Sequence, residues 1–457
     1  MKAIISNRIL IQDIHPSFGQ EITSRLTLLN PTWADNQKMG RWNGKTAKFL
    51  KCYSWAQNSL LIPRGFIFDL EEMAKQQGLS LDCKDQTREL KPVDFDFKGE
   101  LRDYQERAAQ EILTRSFAVQ PAPTGSGKTV IALYVIAERH QPALIIVHTK
   151  ELLNQWIDRI HSFLGIPVDE IGIIGGGTMR IGDRITVAMV QTLHKCKKDV
   201  FPYIGHLIVD ECHRCPSRTF TEAVSAFDSK FMLGLSATPY RRDGLTELIY
   251  WHLGPRAHAI DQAELTVNGA ILPFKVKTIE TAFQTSLDAS IEYSKVLSDL
   301  TEDPERNRLI THEAARQAKT GGGIPLVLSD RKKHCMAIAE SLDRDHGITP
   351  TILTGDLSQK AREKVVARLN TGHCKALVAT GQLIGEGFDL PALGAVILAT
   401  PIRFKGRLLQ AIGRALRPSP GQEYATIVDM VDVHVGVLKA SARARARTYR
   451  EVGVIQL

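Results

Sequence analysis

The sequence lacks several features that define special classes of protein. It has no apolar run of the roughly 18 or more residues that a membrane-spanning helix needs, so no membrane partner is expected. The first residues form an interrupted apolar stretch without a small-residue cleavage pattern, so no signal peptide is expected. The seven cysteines are odd in number and scattered, which does not suit a disulfide framework. We therefore expect a cytoplasmic protein with reduced thiols.

The remaining composition is that of an ordinary globular chain, with 43% hydrophobic and 24% charged residues. A chain of 457 residues can build two or three domains with separate cores. The formal net charge is +8, a mild excess that is compatible with a polyanionic partner. The excess alone does not identify that partner.

The stretch IVDECHRCP allows two chemical interpretations. Cys212, His213 and Cys215 could be three ligands of a zinc site. Asp210 and Glu211 could instead be a carboxylate pair at the end of an apolar strand, suited to Mg²⁺ and a water molecule. Zinc requires further ligands, and the other cysteines are isolated from one another in the sequence. The magnesium interpretation requires a phosphate-binding loop upstream.

The stretch VQPAPTGSGKTVIALYVIAERH supplies such a loop between a predicted strand and a predicted helix. Its second half matches GxGK[ST], although Ala122 replaces the usual first glycine. Lys128 is expected to reach the β- and γ-phosphates of ATP, and the Thr129 hydroxyl to ligate Mg²⁺. Inward-turned N–H groups and the positive end of the helix would hold the phosphates. The predicted nucleotide-binding residues of this loop are Thr124, Gly125, Ser126, Gly127, Lys128 and Thr129.

The stretch HLIVDECH then provides a buried strand that ends at two carboxylates. Asp210 is expected to hold Mg²⁺ through water, and Glu211 to polarise the water that attacks the γ-phosphate. On this interpretation the two neighbouring cysteines are incidental. His213 would link the site to the next motif along the chain.

Further motifs follow in an order that resembles the superfamily 2 helicases and translocases. They are GELRDYQERAAQEIL, HTKELLNQW, VAMVQTL and SATP, followed by IPLVLSDRKKHCMAIAESL, ALVATGQLIGEGFDLPAL and LLQAIGRALRP. Each motif is weak alone, and their common order and spacing over residues 99–432 indicate the family. The sequence is also similar to the UvsW-like, XPB-like and type III restriction-like branches of that superfamily.

The resemblance implies further residues of the ATP site. Gln105 would recognise the adenine edge, with Arg102 beside it. Arg414 and Arg417 would act as arginine fingers on the transferred phosphoryl group when the two halves close. Other residues facing the nucleotide would be Gly387, Asp389 and Gln410. The catalytic residues predicted in this way are Lys128, Glu211, Arg414 and Arg417.

The same resemblance implies contacts with a nucleic-acid strand. Thr149 and the start of its helix would hold a phosphate. Ser236 and Thr238 would couple hydrolysis to domain movement. If the phosphate contacts at Thr149, Thr192 and Thr380 lie on both domains, each ATP cycle would move one domain along the strand. The remaining predicted backbone contacts are Gln191, Thr192 and Thr380.

Residues 1–95 lie outside the ATPase motifs and include a basic, aromatic segment. Residues 36–58 contain five basic side chains and no acidic one. Asn43-Gly44 is a hairpin signal between strand-like runs. A hairpin with cations on one face and aromatics on the other suits a phosphate backbone with stacked bases. The alternative is a small domain whose aromatics form its own core. The predicted contacts are Arg41, Trp42, Lys45 and Lys48.

Alternating strands and helices predict an α/β fold of two tandem RecA-like parallel-sheet domains plus a small N-terminal α+β domain. The expected boundaries are 1–95, 96–265 and 266–457, with a basic C-terminal helix. The favoured function is an ATP- and Mg²⁺-dependent DNA helicase or translocase that remodels branched or duplex DNA in recombination, repair or replication restart. The alternatives are an RNA helicase and a nucleic-acid-gated ATPase subunit of a larger defence or restriction complex.

Overall fold

The computed structural model divides the chain into two compact units. The first unit is Met1–Ala122 with Gly127–Ile260, and the second is Pro123–Ser126 with Asp261–Leu457. Within the described residues, no helix is both long enough and apolar enough to cross a membrane. The structure describes residues 1–214, 218–237, 241, 243–289, 291–320, 323–370, 374–381, 393–402, 408, 412–413 and 422–451.

The first unit begins with a small α+β part. Five of its strands form a sheet in the order β5-β6-β2-β1-β7, in which only β1 and β7 run parallel, and β3 pairs with β4 separately. Alternate residues of β2, including Ile9 and Ile11, are buried, as expected for a sheet with one face on a core. The strands are β1 (Lys2–Ile5), β2 (Arg8–Gln12), β3 (Thr27–Leu29), β4 (Phe49–Lys51), β5 (Ser54–Ala56), β6 (Ser59–Pro63) and β7 (Asp82–Asp85), and the helices are α1 (Pro16–Arg25), α2 (Pro31–Lys38) and α3 (Ile67–Gln76).

The prediction of a β-hairpin at Asn43-Gly44 is wrong, because the turn at this position does not join two paired strands. A turn is present there, since Thr46 N donates to Asn43 O at 2.7 Å. The chain before the turn, however, is the helix α2, and no strand of the small part lies between α2 and the turn. The strand β4 that follows pairs with β3, so residues 30–48 form an excursion rather than a two-residue loop.

Local capping explains why a helix replaces the first predicted strand. The Asn30 side chain accepts from Thr32 N at 3.1 Å, and Pro31 occupies the first helical position, where its missing N–H costs nothing. The two-residue hairpin connection lies instead at Gln57 and Asn58, between β5 and β6. Gln57 takes the left-handed φ of 53° that such turns require.

The second part of the first unit is a parallel α/β sheet with the order β11-β10-β12-β9-β13-β14-β8. All neighbours run parallel except β10 and β11. Strands β8, β9 and β13 are buried along their whole length, as in sheets covered on both faces. The strands are β8 (Phe117–Pro121), β9 (Ala143–Val147), β10 (Gly172–Gly175), β11 (Thr178–Arg180), β12 (Ile185–Met189), β13 (His206–Val209) and β14 (Phe231–Ser236), and the helices are α4 (Asp103–Leu113), α5 (Lys128–Arg139), α6 (Lys150–Leu164), α7 (Val190–Val200), α8 (Arg218–Val224) and α9 (Glu247–Leu253).

The two parts of the first unit share one apolar core. Phe66 meets Trp251 edge to face, with ring centroids 6.1 Å apart. The buried Arg64 guanidinium donates to Ser229 O at 2.7 Å and lies 4.6 Å from the centre of the Phe117 ring. The N-terminal part is therefore packed against the ATPase sheet, and the domain boundary at residue 95 stays a prediction.

The second unit contains a six-stranded sheet in the order β15-β20-β19-β16-β18-β17, with every neighbour parallel. Together with the first unit, this sheet confirms the predicted α/β class. The first unit ends at Ile260 and the second continues from Asp261, and the domain boundary between residues 265 and 266 stays a prediction. The strands are β15 (Phe274–Thr281), β16 (Ile324–Ser329), β17 (Thr351–Leu353), β18 (Leu377–Thr380), β19 (Leu393–Leu398) and β20 (Ala425–Asp432), and the helices are α10 (Gln262–Val267), α11 (Tyr293–Glu302), α12 (Pro304–Thr320), α13 (Lys332–His346), α14 (Gln359–Asn370) and α15 (Gly436–Glu451).

The basic C-terminal helix α15 is attached to the second sheet by a buried ion pair. Arg445 Nη2 donates to Asp429 Oδ1 at 2.7 Å, and the Tyr449 hydroxyl donates to Asp429 Oδ2 at 2.9 Å. These contacts determine which side of α15 faces the sheet. The exposed side of α15 carries Arg443, Arg447 and Arg450.

Candidate nucleotide-binding site

The glycine-rich loop before α5 has the backbone conformation of a phosphate loop. Gly125 and Gly127 have φ values of 91° and 78°, a region that favours glycine. Lys128 and Thr129 form the first turn of α5, where N–H groups have no partner inside the helix and the helix dipole is positive. An anion in front of this helix would meet both features.

Gln105 packs against this loop from the first turn of α4. Its Oε1 accepts from Arg102 N at 3.0 Å, which closes a capping box at the start of the helix. Its amide nitrogen lies so close to Gly127 that a Cβ on this residue would collide with it. The structure therefore brings Gln105 to the glycine-rich loop, while the Arg102 side chain donates to the Tyr104 hydroxyl at 3.4 Å.

Asp210 follows β13 and is held by two donors. Its Oδ2 accepts from the Trp156 indole Nε1 at 2.9 Å, and its Oδ1 accepts from Glu211 N at 2.9 Å. Burial, together with the nearby charge of Glu211, raises the pKa of Asp210 to about 6. Lys128 acts in the opposite direction through its positive charge.

Glu211 has an unusual backbone and an ionised side chain. Its φ of 49° lies in the left-handed region, which costs a non-glycine residue about 1–3 kcal/mol and is often found at functional sites. Burial acts to raise the pKa of Glu211, but Lys128 and His213 outweigh it and hold the pKa well below its ordinary range. The carboxylate is therefore charged at neutral pH.

His213 connects Glu211 to the neighbouring strand. Its Nδ1 lies 3.2 Å from Glu211 Oε2 and 3.1 Å from Ser236 Oγ. Ser236 is the last residue of β14 and the first of the SATP motif, so the expected link between the two motifs is present. Thr238 lies outside the described residues.

Two residues of this site were not singled out from the sequence. Trp156 binds Asp210 from α6, and its place in an apolar helical pattern does not distinguish it from a core residue. His148 follows β9, and neither ring nitrogen has a hydrogen-bond partner among the described residues. Burial, followed by the charge of Arg214, lowers the pKa of His148 to about 4. No sequence signal identified His148.

The oxygen donors present fit Mg²⁺ better than the sulfur donors fit zinc. Each Asp210 oxygen accepts one of the hydrogen bonds described above and retains acceptor capacity, and Thr129 adds a hydroxyl. Cys212 is buried, and Cys215 lies outside the described residues. In the part of the chain that the structure describes, no three His, Cys, Asp or Glu side chains are grouped to hold a metal ion.

Some of the predicted nucleic-acid contacts lie together at one edge of the first parallel sheet. Thr149 caps α6, since its Oγ1 accepts from Leu152 N at 3.3 Å. Gln191 Nε2 donates to the carbonyl of His148 at 3.3 Å, and Thr192 is the next residue of α7. The neighbouring parallel strands β9 and β12 bring these positions to the same edge.

Thr380 is the last residue of β18 in the second unit, and it is buried. The remaining predicted residues lie outside the described part of the chain, so their roles stay predictions: Gly387, Asp389, Gln410, Arg414 and Arg417.

The predicted contacts of the N-terminal part lie on the excursion and are exposed. Trp42 is 91% exposed. Lys48 Nζ lies 5.1 Å from the ring centre of Trp33 and 5.4 Å from that of Phe49. Because Trp42 and Phe49 are exposed, they do not form the core that the alternative interpretation required. Arg41 and Lys45 are exposed beside them.

The fold and site define a class of protein: a phosphate-loop ATPase with two parallel α/β units. Residues 98–241 match the family described as type III restriction enzyme, res subunit, and residues 306–419 match the helicase conserved C-terminal domain. The chain belongs to the superfamily 2 helicases and is an ATP-hydrolysing helicase or translocase of nucleic acid.

Relatives of this chain carry names of both DNA and RNA enzymes. The putative ATP-dependent RNA helicase L396 of Acanthamoeba polyphaga mimivirus is 28% identical, covering 78% of this chain and 69% of the relative. The DNA 3'-5' translocase XPB2 of Sulfurisphaera tokodaii is 26% identical, covering 76% and 85%. The ATP-dependent DNA helicase uvsW of Enterobacteria phage T4 is 23% identical, covering 90% and 85%.

Solved structures support the fold. A fragment of a putative HsdR subunit of a type I restriction enzyme from Vibrio vulnificus has a TM-score of 0.56 at 18% identity, covering 73% of this chain and 65% of that chain. The Saccharomyces cerevisiae protein Dbp5, bound to RNA, has a TM-score of 0.55 at 15% identity, covering 78% and 88%. At these identities the likeness concerns the fold alone.

Proposed function

We propose that this protein is an ATP-dependent DNA helicase or translocase that remodels branched or duplex DNA in recombination, repair or replication restart. The observation that carries the proposal is the exposed basic and aromatic surface of the N-terminal part. This surface, here called the N-terminal basic surface, comprises Arg41, Trp42, Lys45, Lys48 and Phe49. The relatives named as a DNA translocase and a DNA helicase support DNA as the partner.

The chemistry of this surface suits a nucleic-acid strand. The cations would neutralise phosphates and release the counterions condensed on the strand, so binding would weaken as the salt concentration rises. Exposed Trp42 offers a face on which a base can stack, an interaction of about 1–3 kcal/mol per base. Lys48 already lies over two aromatic rings, so its side chain is held near the stacking surface.

The ATP site would act through residues of the first unit. Lys128 would bind the β- and γ-phosphates, and Gln105 would recognise the adenine. Mg²⁺, when bound by Asp210 and Thr129, would neutralise phosphate charge. Glu211, held ionised beside His213, would orient the attacking water and take its proton.

Residues of the second half would complete the reaction. Arg414 and Arg417 would stabilise the negative charge that develops on the transferred phosphoryl group. Gly387, Asp389 and Gln410 would face the nucleotide. These assignments come from the sequence motifs.

The first experiment measures ATP hydrolysis at one stated salt concentration with five additions: none, single-stranded DNA, duplex DNA, a forked or four-way DNA junction, and RNA. Greatest stimulation by the junction is the expected result. Greatest stimulation by RNA would replace the proposal with an RNA helicase, which the name of the mimivirus relative favours. No stimulation by any addition would indicate an ATPase subunit that needs a partner protein.

A second experiment tests the N-terminal basic surface. Deleting residues 1–95 would expose the core that they share with the ATPase sheet, so point variants are preferable. Trp42→Ala and Arg41→Ala together should weaken DNA binding roughly tenfold or more, with basal ATPase unchanged. The control is Lys75→Ala, an exposed cation on α3 outside this surface. Equal DNA affinity in all these variants would instead indicate a protein-docking surface.

A further inference from the structure

Helix α6 connects a predicted phosphate contact to the ATP site. Its N-terminal cap is Thr149, which would hold a phosphate of the strand. Trp156 lies about two turns further along, roughly 10 Å from the cap. Trp156 is 2% exposed, and its side chain points to the end of β13 rather than to solvent.

The Trp156 indole makes a hydrogen bond that its burial requires. An indole has one N–H donor and no acceptor, and a buried donor without a partner is costly. The acceptor is Asp210 Oδ2, at 2.9 Å. This bond joins residues far apart in sequence, one on helix α6 and the other directly after strand β13.

The two donors on Asp210 have different origins. Glu211 N belongs to the chain directly after β13, so it moves with Asp210. The Trp156 donor belongs to α6, so the orientation of the carboxylate depends on the position of that helix. Among the described residues, Trp156 thus links Asp210, the proposed Mg²⁺ ligand, to helix α6, which begins at the proposed nucleic-acid contact Thr149.

We propose that Trp156 is a positioning residue that couples nucleic-acid binding at the start of α6 to the orientation of Asp210, and hence to ATP hydrolysis. This inference depends on the proposed function, which supplies the contact at Thr149. A phosphate bound at the cap pulls on the first turn of α6. The close-packed helix carries that displacement to the Trp156 indole.

A small displacement is sufficient because hydrogen-bond strength falls steeply with angle and distance. A second contact acts on the same sheet edge, since Gln191 donates to the carbonyl of His148, next to the cap. The nucleic-acid strand would therefore act on the first turn of α6, and the helix would transmit the displacement to Trp156.

Thermodynamic reciprocity provides a test that a purely structural role would not satisfy. If the bound nucleic-acid strand favours the orientation of Asp210 that binds Mg²⁺ and ATP, it raises the affinity for nucleotide by some factor. Bound nucleotide must then raise the affinity for the nucleic-acid strand by the same factor. Such coupling factors are typically about 5 to 150. Loss of the Trp156 hydrogen bond should reduce both effects together.

The decisive variant is Trp156→Phe, which keeps an aromatic ring and removes the N–H. The probe is forked DNA, whose dissociation constant is measured with and without a non-hydrolysable ATP analogue and Mg²⁺. The ratio of stimulated to basal ATP hydrolysis is measured in parallel. Trp156→Phe should lower both the affinity ratio and the stimulation ratio about fivefold or more, toward one. DNA affinity without nucleotide should change less than about twofold.

Two matched variants separate coupling from folding. Trp251→Phe removes another buried indole of the same unit, one that packs on Phe66. It should match the thermal midpoint of Trp156→Phe while keeping both ratios at their wild-type values. Trp156→His retains a ring N–H and should recover part of both ratios, and it decides the matter if Trp156→Phe is destabilised.

The outcomes separate this inference from the proposed function. Unchanged ratios in Trp156→Phe would overturn the inference, as would an equal loss of ATP hydrolysis with and without DNA. Failure of DNA to stimulate the wild-type protein would overturn the proposed function itself.

Discussion

The side-chain amide of Gln105 occupies the space beside Gly127 that a Cβ would fill. Gly127 also has a φ of 78°, so two independent constraints require glycine at this position. The same amide group accepts, through Oε1, from Arg102 N. The phosphate loop and the first turn of α4 are therefore built against each other.

Gly127→Ala should weaken ATP binding about tenfold or more, because the methyl group collides with Gln105 and the left-handed φ costs about 1–3 kcal/mol. The measurement is the dissociation constant of a fluorescent ATP analogue. Adding Gln105→Ala to Gly127→Ala relieves the collision but keeps the backbone strain and removes the proposed adenine contact, so affinity should stay well below that of the wild type. Wild-type affinity in Gly127→Ala would show that the loop does not hold the nucleotide.

Glu211→Gln should reduce the turnover number for ATP by about 10² to 10⁴, because an amide cannot take a proton from the attacking water. Binding of ATP should persist, since Lys128 still contacts the phosphates. Lys128→Ala should abolish hydrolysis and weaken binding as well. Steady-state kinetics and the fluorescent analogue distinguish the two losses. Full turnover in either variant would show that the substituted residue is not required for ATP hydrolysis.

Arg414→Ala should lower turnover by about 10³ or more while ATP binding remains nearly intact, as for an arginine finger. The matched control is Arg447→Ala, which removes an exposed arginine of α15 and changes the net charge by the same amount. The control should keep wild-type turnover. Equal turnover in Arg414→Ala and the control would exclude the arginine-finger role.

Gly65→Ala should destabilise the packing between the N-terminal part and the ATPase sheet. A Cβ at this position would collide with the carbonyl of Tyr250 and lie 2.6 Å from Gly254 N, and backbone atoms cannot easily move aside. Overpacking of this kind costs about 1–3 kcal/mol. Denaturant unfolding measures the loss, with Gly436→Ala as the control because nothing lies within 4 Å of its Cβ. An unchanged free energy of unfolding in Gly65→Ala would contradict the shared core.

Stability should fall as the pH drops below about 6.5, through one buried and one half-buried histidine that the fold keeps neutral. Burial, with Arg306 adding to it, lowers the pKa of His334 to about 3, and burial, with Arg8 and Arg64 adding to it, lowers that of His252 to about 4. Below pH 6.5 these histidines bind protons in the unfolded chain but not in the folded one. The free energy of unfolding therefore decreases with falling pH until the pH reaches the pKa of the folded state.

Urea unfolding at pH 7.5, 6.5, 5.5 and 4.5 measures this effect. His334→Gln should flatten the dependence, because glutamine can still bond to Asn307 and Ser329 but does not titrate. A midpoint that stays constant between pH 6.5 and 4.5 would contradict the prediction.

Local sequence patterns determined the class of fold and the position of the ATP site. Buried parallel strands are short apolar runs, and a phosphate loop needs its glycines and its Lys-Thr pair in a fixed local order. Because these signals depend on neighbours in the chain, they place the glycine-rich loop and the acids after β13 without tertiary information. The turn at Asn43 was found for the same reason.

Contacts between distant residues were decided only by the tertiary structure. A hairpin pattern was predicted where the Asn30 cap and Pro31 start a helix, because the competing local signals had similar strength. The sequence did not single out Trp156 or His148, since burial and catalytic placement use the same residue types. Nothing in the sequence distinguishes Arg64 from a surface cation, and only the folded chain shows it buried on Phe117. Side-chain partners depend on which elements pack together, and a single sequence does not encode that pairing locally.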